Sequence, residues 1–128
     1  MADVVIVGGG PAGLNAALLL ARARRDVVLA DAGAGRNRFA GHAHNLLTRD
    51  GVPPGELRKI ARQDLEPYPT ARVVDDTVTA ITGEQGNFTV SFAGGTTGTA
   101  RRILLATGVT DELPAIDGLQ ELWGHSVL

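Results

Sequence analysis

Val4-Val-Ile-Val-Gly-Gly-Gly-Pro-Ala-Gly13 decides how this chain is to be read. Its opening run of β-branched residues has no polar alternation, the pattern of a strand buried on both faces of a parallel sheet. The run stops at glycines. From Pro11 the composition turns to Ala and Leu, with Leu14, Leu18 and Ala21 at helical spacing, which predicts a helix to about Arg24. Val27-Val-Leu-Ala30 predicts a second strand ending at Asp31. Strand, glycine turn, helix and strand thus follow within about thirty residues, and their connection should be a right-handed crossover.

Inside this unit Gly8, Gly10 and Gly13 satisfy G-x-G-x-x-G. The three glycines serve different ends. Gly8 permits the tight turn, Gly10 lets the backbone approach a diphosphate, and Gly13 lets the helix pack closely on the sheet. A diphosphate at the helix start would meet free amide N–H groups and the positive end of the helix dipole without any basic side chain. Asp31, 18 residues after Gly13, stands where a carboxylate accepts hydrogen bonds from an adenosine ribose and repels a 2′-phosphate. The bland alternative is that Asp31 caps the strand end or the following turn. The pattern points to a dinucleotide, with FAD or NAD favoured over NADP.

Outward from this unit, residues 32–53 carry Gly33, Gly35, Gly41, Gly51 and Pro53 and read as a long ordered loop, a feature that is usually functional inside a domain. Residues 54–65 place Leu57, Ile60, Ala61 and Leu65 in amphipathic spacing and predict a second helix, ended by Pro67 and Pro69. Strands are predicted over 72–74, 78–81, 88–92 and 97–106, with Phe88-Thr-Val-Ser-Phe92 alternating as a half-exposed antiparallel strand does. Ile103-Leu-Leu-Ala106 is again uniformly apolar and should return to the parallel sheet before Thr107-Gly108. Residues 109–124 read as a connector and Ser126-Val-Leu128 as the start of another strand. The predicted fold is α/β: a Rossmann-like, three-layer domain with a parallel sheet and a small antiparallel β-meander.

The chain's 128 residues, 44% hydrophobic and 20% charged, suffice for one core and not for two full domains. No apolar run approaches the ~20 residues of a membrane-spanning helix, and no basic leader precedes the first strand, so the expected location is cytoplasmic. A net charge of −2 gives no bias towards nucleic acid or anionic membrane. Arg22, Arg24, Arg25, Arg101 and Arg102 read as solvated helix and strand ends. With no cysteine, the polypeptide carries no disulfide, thiolate nucleophile, cysteine-type zinc site or redox pair. His42 and His44 lack a third ligand motif, and no metal site is expected. Asn87-Phe-Thr89 matches a glycosylation acceptor and is read as the beginning of a strand. No residue stands out as a catalytic acid, base or nucleophile.

Taken together, Val4–Gly13, Asp31, the β-meander and Leu104-Leu-Ala-Thr-Gly108 resemble the N-terminal FAD half of pyridine-nucleotide-dependent flavoprotein oxidoreductases, especially the low-molecular-weight thioredoxin reductase group. His42-Ala-His-Asn-Leu-Leu-Thr-Arg-Asp-Gly-Val-Pro-Pro-Gly-Glu56 resembles the loop of a thioredoxin-reductase-like subgroup. The resemblance implies that Gly8, Gly10, Pro11, Ala12 and Gly13 hold the FAD diphosphate and that Asp31 and Ala32 hold the adenosine ribose. Arg36 and Asn37 would lie by the adenosine or diphosphate, Asn45 on the flavin side and Val78 beside the adenine, while Ala106, Thr107 and Gly108 would close the cofactor channel.

The same resemblance implies an oxidoreductase in which NAD(P)H reduces FAD and the hydride passes to a disulfide or small electrophile. Residues 1–108 correspond to the FAD-binding segment and 109–128 to a connector towards a nicotinamide-binding domain. The family's redox Cys-x-x-Cys would follow Trp123-Gly-His-Ser-Val-Leu128, so this polypeptide alone is expected to be inactive and to bind FAD weakly. A homodimer or a complementary chain supplying the nicotinamide domain is the expected partner. Two alternatives stand beside this one: another FAD-dependent oxidase or monooxygenase, and a non-catalytic NAD- or FAD-binding regulatory module.

Overall fold

Strand β1 (Ala2–Val7) is the centre from which the architecture is built. Its alternate side chains enter two different cores. Val5 packs with Val90, Phe92 and Ala100, whereas Ile6 packs with Leu14, Ala17, Leu29 and Leu65. A strand apolar at every position is what this double burial requires. The computed structural model describes residues 1–35 and 41–126.

After β1 come α1 (Pro11–Arg22), β2 (Val27–Ala30), α2 (Pro54–Leu65), β3 (Ala71–Val74), β4 (Val78–Glu84), β5 (Asn87–Phe92), β6 (Thr97–Leu105) and a single-turn α3 (Leu119–Leu122). One six-stranded sheet runs β3-β2-β1-β6-β5-β4. Strands β3, β2, β1 and β6 are parallel, and β6, β5 and β4 are antiparallel. Helices α1 and α2 cover one face through Leu14, Ala17 and Leu65; Val78, Val90 and Phe92 of the meander cover the other. The layers are therefore helix, parallel sheet and meander, as the sequence predicts.

Strand β6 serves both the parallel sheet and the meander. The stretch predicted as a strand over 97–106, with Ile103–Ala106 returning to the parallel sheet, is one nine-residue strand that fills both places. Residues Thr97–Ala100 pair with β5, and Ala100–Leu105 pair with β1. Ala100 is the pivot, opposite both Ala2 and Phe88 and fully buried.

Helix α1 ends at Arg22, short of the expected Arg24, because Arg24 takes the left-handed backbone conformation (φ 59°). The N–H of Arg24 donates to the Ala21 carbonyl and that of Arg25 to the Leu20 carbonyl, the paired bonds of a Schellman closure. Strand β4 runs on to Glu84, and α3 interrupts the expected connector. Ser126 lies in a turn; Val127 and Leu128, the rest of the expected final strand, are outside the described residues. Among the described residues no helix is long and apolar enough to cross a membrane.

Two outcomes follow for stability. A Cβ at Gly13 would fall on the Gly8 carbonyl oxygen and crowd Leu29, so Gly13→Ala should cost about 1–3 kcal/mol or more in chemical denaturation. Arg24→Gly relieves a left-handed non-glycine residue and should stabilise by roughly 0.5–1 kcal/mol, read as a higher Tm.

Candidate functional site

The parallel strands β1, β2, β3 and β6 finish at one edge of the sheet, and the fingerprint residues gather there. Gly8, at φ 121°, donates its N–H to the Ala30 carbonyl at 2.9 Å. Ala106 donates to the Val7 carbonyl at 2.8 Å, which brings its own carbonyl against Gly8: a Cβ on Gly8 would land on that oxygen. Gly13 presses on the Gly8 carbonyl in turn. These two glycines are required by the fold itself.

Gly10 is different. Its backbone (φ −79°, ψ −174°) is open to any residue, and nothing lies within 4 Å of where its Cβ would stand. Packing therefore gives no reason for glycine here, whereas close approach of a ligand does. Gly10 is also the N-cap of α1, with no side-chain hydrogen bond to the helix start and no acidic residue in the first turn. The first helical bond runs from the Leu14 N–H to the Gly10 carbonyl, so the Ala12 and Gly13 amides have no acceptor within the helix. Pro11 and Ala12 are exposed beside them. Bare turn and uncapped positive dipole end fit a diphosphate.

Asp31 closes β2 and is 5% exposed. Its Oδ1 accepts the Gly33 N–H at 2.8 Å, so it does cap the following turn. Its Oδ2 accepts Arg62 Nη2 at 2.5 Å. The same Nη2 donates to Asp75 Oδ1 at 2.6 Å, and Nη1 donates to Asp75 Oδ2 at 3.3 Å. Hydrogen bonds from Arg62 hold the Asp75 carboxyl below its ordinary value, and those to Asp75, then Asp31, raise that of Arg62. Asp31, Gly33, Arg58, Lys59, Arg62 and Asp75 line an open cleft of about 550 Å³. Gly9 completes this corner, since a Cβ there would collide with the Asp31 carboxylate.

The structure thus brings together Gly8, Gly10, Pro11, Ala12, Gly13, Asp31 and Ala106, with Ala32, Thr107 and Gly108 next to them in sequence. Val78 packs in the same core as Ala30 and Val74, just beyond β3. Asn45 lies in a hairpin closed by an Ala43–Val52 bridge. It is left-handed (φ 65°), and its N–H donates to Asp50 Oδ1 at 2.7 Å. That bond, followed by His44, keeps the Asp50 carboxyl below its ordinary value. Arg36 and Asn37 lie outside the described residues. Among the described residues no group of His, Cys, Asp and Glu could hold a metal ion.

Three residues of this corner escape the sequence pattern. Gly9 carries a signal only in retrospect, as a third glycine where the fingerprint needs two. Arg62 and Asp75 carry none, because Arg62 is 31 residues from Asp31 on an amphipathic helix whose polar face has several charged side chains.

A thioredoxin reductase of Aspergillus oryzae is 40% identical over 98% of this chain and 40% of its own length. A ferredoxin–NADP reductase of Granulibacter bethesdensis is 32% identical over 92% of the chain and 36% of its own. The crystal structure of an oxidoreductase from Agrobacterium tumefaciens superimposes with a TM-score of 0.92 at 52% identity, over 97% of this chain and 42% of that one. The chain therefore spans roughly two fifths of the length of the relatives it matches. With β1, the glycine turn and the returning β6 all inside a family match over residues 2–127, the chain belongs to the pyridine nucleotide-disulphide oxidoreductase family.

Proposed function

We propose that this chain is the FAD-binding segment of a thioredoxin-reductase-like flavoprotein oxidoreductase. Residues 1–108 form the FAD-binding unit, and 109–128 lead towards a nicotinamide-binding domain. The observation that carries the proposal is Gly10: a glycine with no conformational or packing need, at the uncapped start of a helix, beside a buried carboxylate. A ligand with a diphosphate and an adenosine ribose answers both features. Membership of the family supports FAD as that ligand.

In this reading the Ala12 and Gly13 amides bind the diphosphate, while Gly10 keeps a Cβ out of its path and Gly8 holds the turn against β6. Asp31 accepts the ribose hydroxyls, and Val78 borders the adenine. Ala106, Thr107 and Gly108 form the wall beside Gly8. Bound FAD supplies the hydride relay from NAD(P)H to a disulfide or small electrophile. This chain's own contribution is binding and orientation, and no side chain in it is assigned as an acid, base or nucleophile. A carboxylate in place of a cation at residue 31 favours a free ribose diol over a 2′-phosphate.

Titration of the purified chain with FAD should quench flavin fluorescence and raise Tm by ligand linkage. Asp31→Ala should weaken FAD by roughly tenfold to a hundredfold, the scale of hydrogen bonds to a charged group. Gly10→Ala should leave the stability of the ligand-free protein within about 1 kcal/mol yet lower FAD affinity by at least about tenfold. Unchanged affinity in Gly10→Ala would remove the diphosphate from this turn. Tight NAD binding without FAD binding would instead favour the regulatory module.

A further inference from the structure

Asp31 is assigned a ribose in the reading above, but its orientation is set by a residue on another element. We propose that Arg62 is the positioning residue of the nucleotide site, fixing the plane of the Asp31 carboxylate so that its remaining acceptor directions serve the ribose diol. The proposal rests on the nucleotide-binding reading and adds to it a residue that no fingerprint contains.

The geometry is that of a fork held from behind. Arg62 Nη2 has two hydrogens: one donates to Asp31 Oδ2 at 2.5 Å and the other to Asp75 Oδ1 at 2.6 Å. Nη1 adds the second bond to Asp75 at 3.3 Å, so the planar guanidinium is engaged by Asp75 through both terminal nitrogens. Asp75 follows directly on β3, and the Asp31 N–H donates to the Val74 carbonyl at 2.9 Å. The two carboxylates therefore ride on adjacent strand ends of fixed register. The fork spans a short gap between rigid elements.

Asp31 has few other choices. Each of its oxygens already takes one donor, Gly33 N–H on Oδ1 and Arg62 on Oδ2. A carboxylate offers about four acceptor directions, which leaves about one on each oxygen for two neighbouring hydroxyls. Gly9 leaves room for this orientation, because the carboxylate lies where a Cβ at residue 9 would be. Arg62 also balances a carboxylate that is only 5% exposed and that would otherwise be buried unpaired near the expected diphosphate. Arg62 itself remains 32% exposed along the cleft that Asp31 and Gly33 line.

The test compares ADP with 2′,3′-dideoxy-ADP by calorimetry on the wild-type chain and on Asp31→Ala, Arg62→Met, Arg62→Lys and Asp75→Asn, with Tm measured for each. Wild type should prefer ADP, and Asp31→Ala should abolish the preference. Arg62→Met should lose about fivefold to tenfold of it, the scale of one weakened hydrogen bond, while binding of the dideoxy analogue changes less than about twofold. Arg62→Lys should restore part of the preference. A preference retained in Arg62→Met, or an equal loss for both nucleotides accompanying a lower Tm, overturns the positioning role. If Arg62→Met does not fold, Asp75→Asn decides, since it loosens the fork while keeping Arg62 beside Asp31; an unaltered preference there overturns the proposal. A wild type that ignores the ribose hydroxyls, with Asp31→Ala silent, defeats the nucleotide reading and this inference with it.

Discussion

The architecture depends on the approach of three backbones within van der Waals contact where β1 ends, α1 begins and β6 ends. Gly8 has the Ala106 carbonyl on one side and supplies its own carbonyl to Gly13 on the other. A side chain at either glycine would separate strand from helix, and with them the amides at the helix start from the edge of the sheet. Hydrophobic burial supplies the driving force, through Ile6, Leu14, Ala17 and Leu29. The missing Cβ atoms decide how close the layers come.

Around that contact the structure separates two uses of glycine that a motif treats alike. Gly8, Gly9 and Gly13 are small because protein atoms occupy the space, whereas Gly10 is small in front of open solvent. Asp31 likewise has two uses at once. It caps the turn at Gly33 and forms an ion pair with Arg62. The structural and binding interpretations of this carboxylate are compatible because an ionised carboxyl has more acceptor capacity than either one alone consumes.

Much of this was legible in the order of the residues. Uninterrupted β-branched runs marked the strands buried on both faces, and the Ala- and Leu-rich stretch after Pro11 marked α1; residues 54–65 were bounded by prolines and match α2 at both ends. The shared strand β6 was legible as one run over 97–106, although its pattern changes with its partners: alternating in burial beside β5, then Arg101 and Arg102 followed by apolar Ile103-Leu-Leu105 beside β1. Helix α1 ended early for want of a glycine signal, as Arg24 adopts the conformation that glycine usually fills. The hairpin around Asn45 was unreadable because its closure rests on the Asp50 carboxylate and two left-handed non-glycine residues, Asn45 and Thr48. The Arg62 fork is a tertiary contact between distant elements, on which local periodicity is silent.

Because β6 belongs to both the parallel sheet and the meander, the meander and the glycine turn form one cooperative unit. Peeling β5 away would carry off Val90 and Phe92, which pack with Val5 and Ala100, and free the first half of a strand whose second half holds β1. That strand leads directly to the Ala106 carbonyl lying against Gly8. Local opening on the far side of the molecule is thereby charged against the integrity of the turn, and the turn inherits a resistance to fraying that its own short backbone bonds could not provide.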